Sequence, residues 1–356
     1  APAGTRPPEV AGTFEWRRGS ESRSMTSSNE IPRKPRRALW WVALLLLVVF
    51  GLYSAGWFWL AGHLRSEVEA GIAALDAQGT RAACVNMQVS GYPLRLNVTC
   101  DALAYEDDAG NVAASAGSLN AAASLPFPWL PAAELRGPLR TTSPGMTPLW
   151  IDWDRLRAVA HLSWPLAKRV SLDAEGLSGQ TDPQDDTDPV QLFSVGKAAA
   201  EVQPNGQDLA YSGRFGDLEI DAEALGGHAL PPLDGNVRAT LKDGVALLAA
   251  DTRSLRGHKV EIAGAELSSG EARVSVSGPV EIGADGLIDA TLVVRLHNPK
   301  AVAEVLAGVL PEKAGQIRQG VGMLAMLGDE PALPLNVVKG KATLGFIPLG
   351  EIKPVE

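Results

Sequence analysis

Acidic side chains are the first candidates for chemistry in this chain. Four aspartates, Asp182, Asp185, Asp186 and Asp188, crowd into one short segment, as in a Ca²⁺-binding loop. An EF-hand loop needs a central glycine and an acidic twelfth residue, but the twelfth residue here is Phe193. We therefore interpret the cluster as a solvated acidic loop. The sequence predicts no bound metal and no cofactor.

Catalytic patterns are absent from the rest of the sequence. The five histidines stand far apart, at positions 63, 161, 228, 258 and 297. The sequence contains no HExxH zinc motif, no G-x-S-x-G nucleophile elbow and no Walker A loop. His161, close to Trp164, is interpreted as a packing residue rather than a base. These observations predict that the protein is not an enzyme.

Two cysteines, Cys84 and Cys100, flank a predicted β-hairpin that turns at Gly91 to Pro93. Pairing about that turn places Cys84 opposite Cys100 and predicts a disulfide, provided that the compartment is oxidising. The same pairing puts the apolar residues of the two strands on opposite faces. A β-bulge, or a Cys84 that precedes the first strand, would remove the conflict. Two free buried thiols are the alternative.

An uncharged run of 25 residues, 38–62, predicts a transmembrane helix. At 1.5 Å per residue it is about 37 Å long, enough to cross a hydrocarbon core of about 30 Å. Trp40 and Trp41 open the run, and Trp57 and Trp59 close it, which is typical of aromatic belts at the two membrane interfaces.

The flanking charges predict the orientation of this helix. Four basic residues precede it: Arg33, Lys34, Arg36 and Arg37. The positive-inside rule then places residues 1–37, predicted to be a disordered tail, in the cytoplasm and residues 63–356 outside it, as in a single-pass membrane protein. Met25 is the first methionine, so residues 1–24 are either an over-extended start or part of this tail. A signal peptide cleaved near Ser54–Gly56 is the alternative, but the apolar run continues beyond that point.

Charge and composition narrow the class of partner. Hydrophobic residues make up 46% of the chain and charged residues 21%, as in globular proteins, and the formal net charge is −9. The basic residues of the tail leave the predicted exported region more acidic still. An acidic domain repels phosphates, so nucleic acid is excluded as a partner.

Alternating apolar residues predict that the exported region is mainly β, with a few helices. A short helix should continue from the span to about Gly79, because Leu64, Val68 and Ile72 recur at helical spacing. A long antiparallel meander should follow, its turns marked by dipeptides: Asn205-Gly206, Asp234-Gly235, Asp243-Gly244, Ser269-Gly270 and Asp285-Gly286. Residues 298–328 are predicted to form helix that is split in two at Pro311. Residues 335–347 are predicted to form a last pair of strands.

One apolar set is a candidate groove. Residues of a single parity should share one sheet face: Val274, Val276, Ile288, Leu292 and Val294. This face is either an open groove for lipid or an ordinary packed core. Phe127 and Trp129 are interpreted as core residues rather than as an exposed lipid or partner contact.

Short motifs resemble a known family. The segment Ser90-Gly91-Tyr92-Pro93-Leu94-Arg95, followed by Cys100, resembles the membrane-anchored domain-of-unknown-function 2125 proteins of Gram-negative bacteria. The closing segment 333–350 is similar to the broader AsmA-like superfamily. The resemblance implies a periplasmic β-groove tied to envelope biogenesis, with the bilayer, a phospholipid or another envelope protein as partner. A purely structural or protein-interaction module of the envelope, with a closed β core, is the competing interpretation.

Overall fold

The computed structural model describes residues 36–355, apart from 78, 108–110, 165, 184–186, 250–253, 325–327, 329 and 346. The described chain divides into two units, with the boundary between Tyr53 and Ser54. The predictions made for residues 1–35, which include Arg33 and Lys34, and for Asp185 and Asp186 lie outside the described residues.

One long helix, α1 (Arg36–Ala77), opens the described chain, with Arg36 and Arg37 at its start. It contains the apolar run and continues past Gly62, as the helical spacing predicts. It ends just before Gly79, whose φ of +86° suits a glycine after a helix. Among the described residues α1 is the one helix long and apolar enough to cross a membrane. The prediction of such a helix is confirmed.

The rest of the described chain is mainly β, as predicted, in one antiparallel sheet of 20 strands. The first ten strands are β1 (Thr80–Val85), β2 (Gln88–Ser90), β3 (Arg95–Cys100), β4 (Ala102–Asp107), β5 (Val112–Ala116), β6 (Leu119–Ser124), β7 (Phe127–Leu135), β8 (Leu139–Ser143), β9 (Met146–Asp152) and β10 (Arg155–His161). The next seven are β11 (Arg169–Thr181), β12 (Gln191–Asn205), β13 (Asp208–Ile220), β14 (Leu233–Leu241), β15 (Lys259–Ser269), β16 (Ala272–Ile282) and β17 (Ile288–His297). The last three are β18 (Ala332–Val338), β19 (Lys341–Leu344) and β20 (Ile347–Glu351).

Strands β1 to β10 are five long strands that are each bent in the middle. The bends separate an upper arm (β1, β4, β5, β8 and β9) from a lower arm (β2, β3, β6, β7 and β10), and each arm pairs internally. Both arms meet at β11, whose first half pairs with β10 and whose last residues pair with β9. Gly176 lies at the bend of β11 with a φ of +61°, a conformation that glycine adopts without strain. The line of bends is a crease across the sheet.

From β11 onward each strand pairs with the next, so the predicted meander is confirmed. Two predicted turns are wrong. Asp234-Gly235 lies inside β14, where the Asp234 carboxylate accepts a hydrogen bond from the backbone N–H of Asp217. Asp243-Gly244 leads into a short helix, α2 (Gly244–Ala249), rather than a hairpin. The predicted last strand pair gains a third strand, β20.

The disulfide between Cys84 and Cys100 is confirmed, but the predicted hairpin register is wrong. Strands β2 and β3 form the hairpin, with Val89 opposite Val98, which puts their apolar residues on one face. Cys84 precedes that hairpin, in β1, and pairs with Leu103 of β4. The disulfide therefore ties the upper arm to the lower arm.

Two helices cover the far end of the sheet: α3 (Pro299–Val309) and α4 (Ala314–Leu324), separated by a 3₁₀ turn that begins at Pro311. The split at Pro311 is confirmed. The Asn298 side chain accepts a hydrogen bond from the backbone N–H of Ala301 and caps α3. Val302 of α3 packs with Val294 and Leu296 of β17 in a buried cluster. This end of the sheet is therefore a packed core.

Candidate functional site

An apolar cavity of about 830 Å³ lies between the two arms. The lower arm lines it with Val98, Ala121 and Leu135, and the upper arm with Leu103 and Ala114. None of the lining residues carries a charge, and two, Tyr105 and Ser115, carry a hydroxyl group. Its volume lies within the range of about 300–1,000 Å³ that is usual for small-molecule sites. The cavity therefore suits a hydrophobic guest of that size.

Helix α1 forms one wall of this cavity. Leu64, Val68 and Ile72 line it, one helical turn apart along a single face. These are residues that predicted the amphipathic continuation of the span. The same helix that carries the apolar run therefore also lines the cavity.

The alternation of the strands extends the apolar surface beyond the cavity. Directly paired residues of an antiparallel sheet lie on the same face, so the register identifies rows across the strands. One row runs from β3 to β17 without a polar side chain: Val98, Ala121, Ala133, Ala158, Leu172, Ala200, Gly213, Val237, Ala265, Val276 and Val294. At about 4.8 Å per strand this apolar stripe is about 48 Å long.

The opposite face of the same strands is charged. Residues one position away form another row: Asn120, Glu134, Arg157, Asp173, Ala199, Arg214, Asn236, Glu266, Ser275 and Arg295. Arg157 lies 3.9 Å from Glu134, and Arg273 lies 3.3 Å from Glu266. One face of the sheet is therefore suited to water and the other to hydrocarbon.

The middle of the apolar stripe is open. A second cavity of about 490 Å³ opens there. Leu172, Ala200, Tyr211, Phe215 and Val237 line it from the stripe, and Arg214, Asn236 and Glu266 of the charged row also reach it. Leu172 and Tyr211 are exposed hydrophobic residues of this surface. Helix α2 contacts β13 at the start of that strand, beside Leu209, and leaves Leu172 and Tyr211 exposed. The stripe is therefore covered at its end by α3 and uncovered in its middle.

The structure places the predicted groove residues at the covered end. Val294 belongs to the cluster beneath α3, and Val274 and Val276 pack against it. Leu292 is 8% exposed in a neighbouring cluster, with Ile288 packed beside it. The five residues share a face, but that face is closed at this end. At these five positions the face is therefore a packed core rather than an open groove.

Two other predictions about aromatic residues need correction. Phe127 and Trp129 are exposed rather than core residues. Trp57 is 6% exposed and packs against Tyr92, unlike Trp40, Trp41 and Trp59, which are exposed. A tryptophan at the end of an apolar run gives no sequence signal that distinguishes a lipid contact from a protein contact.

Among the described residues, none of those that form ion pairs lines the cavity between the arms. The Lys242 ammonium group donates a hydrogen bond to Asp208 and lowers the pKa of that carboxyl group. The Arg318 guanidinium group of α4 likewise donates a hydrogen bond to Glu304 of α3 and lowers the pKa of that carboxyl group. This ion pair joins α4 to α3. Within the described residues no group of three His, Cys, Asp or Glu side chains could hold a metal ion.

A comparison with known families decides the classification. A family model described as "Uncharacterized protein conserved in bacteria (DUF2125)" matches residues 57–353. The chain belongs to the DUF2125 family. The match covers the end of the apolar run, both arms of this DUF2125 sheet and helices α3 and α4. No curated protein matches the sequence.

Proposed function

We propose that this DUF2125 protein is anchored in the inner membrane by residues 38–62, with its sheet in the periplasm. Helix α1 supports the anchor, since it is long and apolar enough to cross a bilayer. The basic residues before the helix support a cytoplasmic N-terminus. The disulfide supports an oxidising location for the sheet, because such bonds persist outside the cytoplasm.

Thiol labelling tests this topology. Protein denatured directly from cells, without reduction, should show no reaction at Cys84 or Cys100, and reduction should restore both thiols. A reporter that is active only outside the cytoplasm, fused after Glu356, should be active. Labelling of both cysteines without reduction, together with an inactive reporter, would place the sheet in the cytoplasm and contradict the topology.

In that orientation, the apolar face of the sheet binds the acyl chains of lipid. The protein contributes to envelope biogenesis through this binding. The observation that carries the proposal is the uncharged cavity between the arms, which continues into an uncovered apolar stripe. Exposed apolar surface of this extent is unfavourable in water, and acyl chains would remove it from water at about 25 cal/mol per Å². The charged opposite face supports an aqueous surround for the sheet.

A structural or protein-interaction module is the second candidate. The buried clusters around Val294 and Leu292 favour it for the far end of the sheet. Near α1 the lining offers no charged or nucleophilic group apart from two hydroxyls, so we propose a non-catalytic role there. The two candidates differ in one measurable respect, which is whether lipid occupies the apolar face.

Filling the cavity tests lipid binding. Ala121 lines the cavity, and the adjacent Asn120 is exposed on the opposite face. In the full chain, Ala121→Phe should lower the amount of phospholipid that co-purifies with the protein, because the ring occupies the space of the acyl chain. Asn120→Phe, the matched control, should bind as much lipid as the unmodified protein.

Mass spectrometry of organic extracts measures the bound phospholipid, and thermal unfolding checks the fold of each variant. If Ala121→Phe is destabilised, Ala114→Phe on the upper arm fills the same cavity from the other side. Equal lipid content in the unmodified, cavity-filled and control proteins would contradict the proposal.

A further inference from the structure

Three connections at one edge of the lower arm expose large apolar side chains. The β2–β3 turn carries Leu94, which is 61% exposed, and Phe127 follows the β6–β7 turn at 55%. The β10–β11 loop carries Leu162 and Trp164, and Trp164 is 95% exposed. Water-facing turns normally carry polar residues, so this accumulation at one edge indicates a contact surface.

The three connections form one continuous surface. The backbone N–H of Leu125 donates to the carbonyl of Leu94 at 2.9 Å, which joins the first turn to the second. The backbone N–H of Leu162 donates to the carbonyl of Trp129 at 2.7 Å, which joins the second to the third. We call these residues, 91–94, 125–130 and 162–164, the aromatic edge.

The aromatic edge is attached to α1 within the apolar run. The hydroxyl groups of Ser54 and Tyr92 are hydrogen bonded at 2.7 Å, and the indole N–H of Trp57 donates to the carbonyl of Arg95 at 3.0 Å. The Tyr92 ring stacks on Phe58 at 5.5 Å between centroids. Because Ser54 and Phe58 precede Gly62 by eight and four residues, they lie about 6–12 Å inside the end of the run.

Later turns on the same side of the sheet differ in character. The β12–β13 turn is Gly206-Gln207, flanked by Asp208, and the β18–β19 turn is Lys339-Gly340. The Lys259–Glu281 ion pair lies at the same ends of β15 and β16. The β14–β15 connection on this side exposes Leu248 and Leu255 but carries no Phe, Tyr or Trp ring among its described residues. The exposed aromatic rings are thus concentrated in the connections next to α1, where a bilayer around the helix would meet the sheet.

We propose that the aromatic edge inserts into the outer leaflet of the membrane that α1 crosses. Ser54 and Phe58 place the edge about 6–12 Å inside the end of the apolar run. This agrees with the depth of about 5–10 Å at which interfacial helices bury their apolar faces. Aromatic rings at this level occupy the interface that Trp and Tyr prefer. Pro128 and Leu162 belong both to this edge and to the cavity lining, so the cavity reaches the inserted surface.

A fluorescent label tests the insertion. A cysteine introduced at Trp164 or at Leu94 is labelled with an environment-sensitive fluorophore, while the native cysteines stay protected in their disulfide. Gln207→Cys, on the exposed β12–β13 turn, is the matched control. The full chain is placed in nanodiscs of zwitterionic and anionic phospholipid, with or without a nitroxide on the acyl chains.

We expect the labels at 164 and 94 to emit at shorter wavelength than the label at 207 and to be quenched by the lipid nitroxide. Water-like emission and no quenching at 164 and 94 would overturn the inference. A shift that occurs in native membranes but not in nanodiscs of pure lipid would overturn it too, because a protein partner would then cover the edge. Insertion does not require lipid in the cavity, so Ala121→Phe can fail its test while this one succeeds.

Discussion

Leu292→Asp should abolish the cooperative thermal unfolding transition of this protein. Leu292 is 8% exposed and packs with Ala290 and Val337 in a buried cluster beside the one beneath α3. A carboxylate at that position would be buried without a partner, which costs about 3–5 kcal/mol. Because typical domains are stable by about 5–15 kcal/mol, the loss removes a large part of the total.

Thr291→Asp is the matched control, since Thr291 is adjacent and exposed. It should unfold at nearly the temperature of the unmodified protein, because surface substitutions change stability little. Circular dichroism followed with temperature compares the three proteins. A preserved transition in Leu292→Asp would mean that the covered end is not a packed core.

The β fold was accessible from the sequence where large and polar residues alternate. In β17, Leu292 and Val294 contrast with Thr291 and Arg295, so the strand and its buried face are both apparent. The amphipathic continuation of α1 was apparent for the same reason. Where apolar and polar side chains alternate at regular spacing, the local sequence alone indicates which face is buried.

The crease could not be predicted, because each bend resembles a turn in a single sequence. Asp234-Gly235 has the composition of a hairpin turn, yet it lies inside β14, opposite a register irregularity of β13. At the bend of β11, Gly176 faces the Asp154 side chain, which leaves no room for a Cβ atom. The feature that marks this bend is a glycine packed against an aspartate from a neighbouring part of the sheet. It can be recognised only once the strand pairing is known.

The open part of the apolar stripe was missed for a related reason. Four residues of the stripe, on β6, β7, β10 and β12, are alanines: Ala121, Ala133, Ala158 and Ala200. Alanine is small and common on both faces of a sheet, so alternation with it carries little information. The sequence prediction therefore chose the region with the largest side chains, which is the region that α3 covers.

The predicted hairpin register was wrong because the turn was centred on Gly91 to Pro93, whereas the connection also includes Leu94, and Ser90 pairs with Asn97. A disulfide constrains two Cα atoms to lie close together, here 5.4 Å apart, but it does not require the two residues to pair in a ladder. Cys84 and Cys100 lie on different arms, and the bond crosses the crease. The apolar match of Val89 with Val98 was the better guide to the register.

Photo-crosslinking in living cells tests the central claim, lipid on the apolar stripe, most directly. A photo-reactive phenylalanine is placed at Ala200, which lines the open part of the stripe, or at the adjacent Glu201, which does not line it and pairs with Ser171 and Ser212 on the opposite face. After irradiation, mass spectrometry of the purified full chain identifies the adducts. The account predicts a phospholipid adduct at position 200 and none at 201. No lipid adduct at 200, or equal adducts at both positions, would contradict it.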